Sequence, residues 1–137
     1  MTESLKINEN WRVLIVDDQH LTREMVRVIL GGLGFTQFAM AENALVAFKI
    51  LEERLRIDLI VCDWNMPHAT GLDLLKRVRA DARFKRLPFL MLTAEAYRET
   101  VDAAMAAGVS DYVIKPFTAQ TLGDKVMSLM SGKTSYF

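Results

Sequence analysis

One cysteine in 137 residues, Cys62, rules out an intramolecular disulfide and any site built from several thiolates. Its place in an apolar run makes it a small core residue, and its isolation leans toward a reducing compartment. No apolar run approaches the roughly 20 residues needed to span a bilayer. Residues 1–10 are polar and lack the apolar core of a signal peptide, so a cytoplasmic location is expected, with no membrane contact. Charge of one sign is not in excess: 17 Lys and Arg face 17 Asp and Glu. A dedicated nucleic-acid binder normally carries a basic excess, so direct nucleic-acid binding is not expected, although a local patch is allowed. Internal repeats, low-complexity tracts and long linkers are also missing.

What is there is enough for one core. Hydrophobic residues make up 51% and charged residues 25% of the chain, the balance of a globular domain. Five short apolar runs alternate with five helix-like segments. The runs are Arg12 to Val16, Phe38 to Ala41, Asp58 to Asp63, Pro88 to Thr93 and Asp111 to Lys115. Continuous β-branched and Leu content, as in RVLIV, suits a strand buried on both faces.

The first helix is predicted over Leu21 to Leu30, with Leu21, Met25, Val28 and Ile29 at helical spacing, and Gly31, Gly32 and Gly34 are expected to end it. The second runs from Asn43 to Leu55 on a stripe of Leu45, Phe48 and Leu51 or Leu55. The third, Gly71 to Ala80, carries Leu72, Leu75 and Val78, and the fourth is Tyr97 to Ala107, closed by Gly108. The last is Thr118 to Met130. Met25, Met91, Met105 and Met127 are expected to fill the core. Strand–helix alternation of this period implies an α/β fold of βαβ units, a parallel sheet with helices on both faces.

In such a sheet, ligands bind beyond the carboxyl ends of the strands. Asp17 and Asp18 follow the first strand, Asp63 ends the third, Thr93 the fourth and Lys115 the fifth. Three carboxylates, a hydroxyl and an amine from distant segments would meet on one rim. Carboxylates brought together raise one another's pKa unless a cation is present. Mg²⁺ suits such a site, taking hard oxygen ligands while leaving positions for water and phosphate oxygens. With it, Asp63 stays ionised and can attack phosphorus, Lys115 adds positive charge, and Thr93 offers a hydrogen bond to phosphoryl oxygens. Asp17-Asp18 by itself would equally suit a helix N-cap, and Thr93 a cap for the following helix. His20 and His68 read as rim loop residues, not metal ligands. Trp64, next to Asp63, is placed to report Mg²⁺ binding by fluorescence.

The strings VLIVDD, DWNMP, LTAEA and YVIKPF resemble the signature segments of the response-regulator receiver family, and the likeness runs from about Arg12 to Met130. It is strongest toward the family's stand-alone chemotaxis members. The resemblance implies a doubly wound, flavodoxin-like (βα)5 fold with strand order 2-1-3-4-5. It divides the chain into an N-terminal extension (1–11), a receiver domain (12–130) and a tail or linker stub (131–137).

It also implies roles. Asp63 would accept the phosphoryl group from a phosphohistidine on a sensor histidine kinase or phosphotransfer protein. Asp18, Asp63 and the backbone carbonyl of Asn65 would ligate Mg²⁺ directly, with Asp17 acting mainly through water. Thr93 and Tyr112 would be the switch pair, although Tyr112 could equally be a half-buried sheet-edge aromatic. Lys115 would pair with the phosphate, and Lys115-Pro116 would be cis. Asn65 and Glu95 match positions that tune self-dephosphorylation. The output face of helix four, strand five and helix five would hold Ala96, Arg98, Glu99, Tyr112, Ile114, Phe117, Thr118, Thr121 and Lys125. It would meet a downstream protein, with the chain a monomer or a phosphorylation-dependent dimer; the same residues also suit an ordinary helix surface.

Departures from the family pattern lie outside this chemistry: Ala69-Thr70 before Gly71, Asn43-Ala44 at the second helix start, and Gln19 in place of an aromatic. Only 22 residues follow Lys115, room for one helix and a tail and not for an output domain. The expectation is thus a phosphorylation switch, not an enzyme with an external substrate. The alternatives are a receiver excised from a larger regulator, a receiver that never takes phosphate, and a small Mg²⁺-dependent aspartyl phosphatase. Enzymes of the last kind resembling haloacid dehalogenases carry Asp-x-Asp after the first strand, whereas adjacent Asp17-Asp18 stand here.

Overall fold

A computed structural model describes residues 7–53, 56–94 and 98–134. Strands β1 (Arg12–Val16), β2 (Gln37–Ala41), β3 (Leu59–Asp63), β4 (Phe89–Thr93) and β5 (Asp111–Ile114) alternate with helices α1 (His20–Leu33), α2 (Ala44–Glu52), α3 (Gly71–Ala80), α4 (Arg98–Ala106) and α5 (Ala119–Thr134). The sheet is parallel in the order β2-β1-β3-β4-β5, as expected. β3 and β4 are buried along their whole length, the burial their apolar runs require.

Side chains alternate between two cores. Val13, Ile15, Val61 and Leu92 face α1 and α5, where Val26, Leu30, Leu122 and Val126 wait. Leu14, Val16, Ile60, Cys62 and Met91 face the other side, against Phe48 and Leu51 of α2, Leu75 and Val78 of α3 and Ala104 of α4. Each fully buried aliphatic side chain contributes about 1.5–3 kcal/mol. The period-2 pleat sends successive residues to helices on opposite sides, and the common direction of the parallel strands places every carboxyl end on the same rim.

Three helices depart from their predicted reading. In α1 the buried stripe is Val26 and Leu30, with Ile29 and Leu33 packed beside it. Leu21, Met25 and Val28 are instead exposed, at 81%, 46% and 62%. Both sets satisfy helical spacing, and only the second turns toward the sheet. Gly31 and Gly32 do not end the helix; they lie inside it, and Gly34, with φ 114°, caps it. A glycine inside a helix costs about 1 kcal/mol against alanine, which the burial of Leu30 outweighs. In α2 the core face is Ala44, Ala47, Phe48 and Leu51, while Leu45 is 61% exposed; Leu55 lies outside the described residues. The methionines divide: Met91 is buried and Met127 half-buried, whereas Met25 and Met105 are exposed and do not fill the core. α5 runs to Thr134, four residues past its predicted end. Tyr97, the predicted start of α4, lies outside the described residues.

Caps fix the helix starts next to the rim. The Thr70 hydroxyl accepts from the Asp73 N–H at 3.2 Å, and the Asp73 carboxylate accepts from the Thr70 N–H at 2.9 Å, closing a capping box on α3. The Asn43 side chain accepts from the Val46 N–H at 2.8 Å at the start of α2. Asn43→Ala is expected to lower stability by about 1 kcal/mol in urea denaturation; an unchanged midpoint would show that this cap contributes nothing.

Candidate functional site

The β1–α1 turn holds Asp17 in place through three contacts. Its N–H donates to the Ala41 carbonyl of β2 at 3.1 Å, its carboxylate accepts from the Gln19 N–H at 2.9 Å, and its carbonyl accepts from the Arg23 guanidinium at 2.6 Å. Asp17 is thereby buried and aimed across the rim, while Asp18 beside it is exposed. Asp63, the last residue of β3, is buried at 6% exposure. Carboxylate oxygens of Asp17, Asp18 and Asp63 lie within 4.8 Å of one another. The rim convergence expected of these acids is therefore present.

Lys115 closes the group from the other side. Its N–H donates to the Thr93 carbonyl at 2.8 Å, which extends the β4–β5 ladder by one bond and directs the side chain over the rim. The Lys115 Nζ donates to Asp63 Oδ1 at 2.9 Å and reaches Asp17 Oδ2 at 3.4 Å. The following Lys115–Pro116 bond is cis, as expected.

The electrostatics follow from the geometry. Burial pushes the Asp63 carboxyl above the ordinary carboxylate range; the Lys115 hydrogen bond pulls it down, and the charges of Asp17 and Asp18 push it up again. For Lys115, burial pulls the ammonium down, but the bond to Asp63 and the charge of Asp17 outweigh it and leave the ammonium raised. One ammonium thus offsets three carboxylates, two of them buried. The group has an unbalanced negative charge and an all-oxygen donor set, the chemistry that suits a hard divalent cation.

Thr93 ends β4 and is buried. Tyr112 is half-buried on β5 and shares with Thr93, Trp64 and Ala104 a cavity of about 10 Å³. Asn65 is exposed in the loop after β3. That loop is tied down by Trp64, whose N–H donates to Leu92 and whose carbonyl accepts from Gly71, both at 2.8 Å. Glu95 and Ala96 lie outside the described residues. Of the expected output face, Ile114, Phe117, Thr121 and Lys125 line one shallow cavity of about 300 Å³ together with Tyr112 and Thr118. Lys125 is ion-paired with Asp111 at 3.1 Å, and Arg98 and Glu99 are exposed on α4. His20 begins α1 and His68 sits at φ 72° in the β3–α3 loop, and neither belongs to the acidic group.

Two contributors are absent from the candidate residues that the sequence offers. Arg23 reads as a surface residue of α1, yet it holds the backbone of Asp17. Gly71 reads as the first residue of a helix, yet a Cβ there would lie 2.4 Å from the Asp63 carbonyl oxygen. Its one mark in the sequence is a glycine directly after a threonine.

Comparison with known proteins bears on the family and the fold. The family profile described as response regulator receiver domain matches residues 13–127. The chain is 47% identical over 120 residues to chemotaxis protein CheY-3 of Vibrio cholerae, covering 88% of this chain and 92% of that one. It is 49% identical over 115 residues to chemotaxis protein CheY of Pseudomonas aeruginosa, covering 84% and 92%. The solved chemotaxis response regulator CheY4 of Vibrio cholerae superposes with a TM-score of 0.80 at 33% identity, over 87% of this chain and 98% of the other. A CheY-like receiver domain protein of Methanospirillum hungatei, 23% identical, shares the fold with a TM-score of 0.83 over 93% of this chain and 98% of its own.

Proposed function

The chain belongs to the response regulator receiver domain family as a receiver of the CheY-like kind, and on that premise we propose that Asp63 is its phosphoacceptor and Mg²⁺ its cofactor. The observation that carries this reading is the contact of Lys115 with Asp63 inside a group of three carboxylates. A carboxylate oxygen of Asp63 attacks the phosphorus of a phosphohistidine on a sensor histidine kinase or phosphotransfer protein. The O–P bond forms as the N–P bond breaks, and the electron pair stays on the imidazole nitrogen, which takes up a proton. Asp17, Asp18, Asp63 and the carbonyl of Asn65 would hold Mg²⁺, which supplies countercharge to the phosphoryl oxygens. Asn65 and Glu95 tune the attack of water that removes the phosphate. No external substrate is turned over.

Lys115 follows the new charge. It bonds Asp63 before transfer and is within reach of a phosphoryl oxygen afterwards. The Thr93 hydroxyl turns toward the same group, and Tyr112 responds. The cavity shared by Thr93 and Tyr112 holds about one water sphere, far less than a phenol ring. An inward turn of Tyr112 therefore requires its α4 wall, Thr100 to Ala104, to move. This couples phosphate to the face of Ala96, Arg98, Glu99, Ile114, Phe117, Thr118, Thr121 and Lys125, which a downstream protein reads. Both relatives carry the name of chemotaxis proteins, and signalling by protein contact in the cytoplasm fits a chain with no membrane-crossing helix among the described residues.

With Mg²⁺ and acetyl phosphate, the intact mass of the protein is expected to rise by one phosphoryl group, and a chelator is expected to prevent the rise. Folded protein that stays unmodified, or that turns over a generic phosphate monoester, would remove this reading.

A further inference from the structure

The even charge of the whole chain conceals a division. Between Lys76 and Arg86 stand six bases and one acid, Asp81; of the 17 of each sign, the remainder therefore holds 11 bases and 16 acids. The basic stretch ends in the α3–β4 turn, at the end of the sheet opposite Asp63 and one strand length away, roughly 17 Å. A pocket of about 410 Å³ opens there, with Ile57, Phe84 and Leu87 as apolar lining and Arg83, Lys85 and Arg86 as basic rim.

The turn is preformed. Its Asp81 carboxylate accepts from the Arg83 backbone N–H at 2.9 Å and from the Arg83 guanidinium at 2.7 Å, and the Arg79 guanidinium donates to the Leu87 carbonyl at 2.7 Å. Phe84 packs edge-on against Phe48 with centroids 6.0 Å apart. A concave site of this kind loses little entropy on binding.

The charges that remain available decide the class of partner. Arg83 is paired with Asp81 and with Glu52, Arg79 donates to backbone carbonyls, and Arg77 lies over the Phe48 ring at 3.7 Å. Among the described residues, Lys76, Lys85 and Arg86 have no ion pair and are exposed, and of these Lys85 and Arg86 line the pocket. Two free cations at the rim, with Lys76 set apart from it on α3, are too few for a nucleic acid, which tracks many phosphates. The apolar atoms line a hollow and do not project, so they cannot enter a bilayer. A short acidic peptide with one bulky apolar anchor matches both the rim and the hollow.

We propose that the pocket at the α3–β4 turn, lined by Ile57, Phe84 and Leu87 and rimmed by Arg83, Lys85 and Arg86, docks an acidic peptide segment of a partner protein through one apolar side chain. Because it lies at the far end of the sheet from the phosphorylation rim, this docking is independent of phosphate and tethers the partner in both states.

The test is amide chemical-shift mapping of the isotope-labelled full chain with a blocked nonapeptide carrying four acidic residues on each side of one Phe. Saturable shifts at Ile57 and from Arg83 to Leu87 are expected, equal with and without Mg²⁺ and beryllofluoride. The double variant Lys85→Glu, Arg86→Glu and a peptide with Gly in place of Phe should each weaken binding by about tenfold or more. Absence of saturation, shifts spread over all exposed bases, or indifference to the Phe would overturn the proposal. So would tighter binding of duplex DNA or anionic vesicles at the same residues. Shifts that differ with and without beryllofluoride would overturn the independence from phosphate, and loss of binding in its absence leaves the phosphoacceptor reading intact, since Asp63 takes no part in that arm.

Discussion

Asp63→Asn will take up no phosphoryl group from acetyl phosphate and Mg²⁺, and it will fold at least as stably as the wild type in metal-free neutral solution. The loss of uptake follows from nucleophilicity. The substituted amide keeps an oxygen that can accept from the Lys115 Nζ, now 2.9 Å from Asp63 Oδ1, but it has no ionised oxygen to attack phosphorus. Asp17 and Asp18 are within the same group and keep their carboxyl groups, so the variant also tests which acid is the acceptor. Uptake at the wild-type level would transfer the role to one of them. The stability half follows from linkage. Burial and the two neighbouring acids raise the Asp63 pKa in the folded state. A carboxyl raised on folding favours the folded state only while protonated, so that stability is lost as pH rises from the unfolded pKa through the folded one. At neutral pH the ionised carboxyl of Asp63 is therefore a net cost, which the amide removes. The advantage of the variant should vanish in acid, below the unfolded value, and should shrink when Mg²⁺ stabilises the wild type. At about ten times its dissociation constant, a ligand of the folded state adds about 1.4 kcal/mol. Urea denaturation across pH, with and without Mg²⁺, separates these contributions. A variant less stable than wild type at neutral pH would mean that the Lys115 bond outweighs the burial of the charge.

The same group shows how much of the site the sequence discloses. Asp17, Asp18, Asp63, Thr93 and Lys115 are legible because each terminates or follows an apolar run, and a parallel sheet gathers those ends on one rim. The distribution of contacts among them is not legible. That Lys115 bonds Asp63 at 2.9 Å and only approaches Asp17 at 3.4 Å depends on the length of the β5–α5 turn and on the Thr93–Lys115 ladder bond. Periodicity located α1 but chose the wrong stripe, because Leu21, Met25 and Val28 obey the helical repeat as well as Val26, Leu30 and Leu33 do. Only the position of the sheet distinguishes them. The run of glycines read as a stop for the same reason: propensity is a local quantity, and burial of Leu30 decides the helix. Buried acids carry a further lesson. Asp58 is wholly buried like Asp17, yet it accepts from the Arg12 N–H and from Arg56 at the opposite end of β3, where it stabilises the start of the strand. Strand polarity, which the pattern supplies, separates the structural acid from the reactive one.

Gly71→Ala will destabilise the protein by about 3 kcal/mol and will slow phosphoryl uptake as well, although alanine is the better helix former. Propensity alone predicts a gain of about 1 kcal/mol, or less at the first position of α3. Against it stands the space. The new Cβ would lie 2.4 Å from the Asp63 carbonyl oxygen, 2.8 Å from Met91 Sδ and 3.1 Å from the Trp64 Cα. The thioether can swing aside, but the other two atoms belong to the backbone that ends β3. Gly71 is moreover held there, since its N–H donates to the Trp64 carbonyl at 2.8 Å and the Thr70 capping box fixes the helix start. Relief therefore requires α3 to retreat or the end of β3 to shift. A shift of β3 carries Asp63 with it, away from Lys115 and from the other two acids. Gly31→Ala supplies the contrast within the same protein. It too sits inside a helix, but a Cβ there meets nothing within 4 Å, so alanine should be neutral or stabilise by up to about 1 kcal/mol. Urea denaturation of the two variants, with acetyl phosphate uptake followed by intact mass, checks both signs at once. Equal stability of Gly71→Ala and wild type would show that the helix yields without cost, and normal uptake in a destabilised variant would show that α3 moves and Asp63 stays.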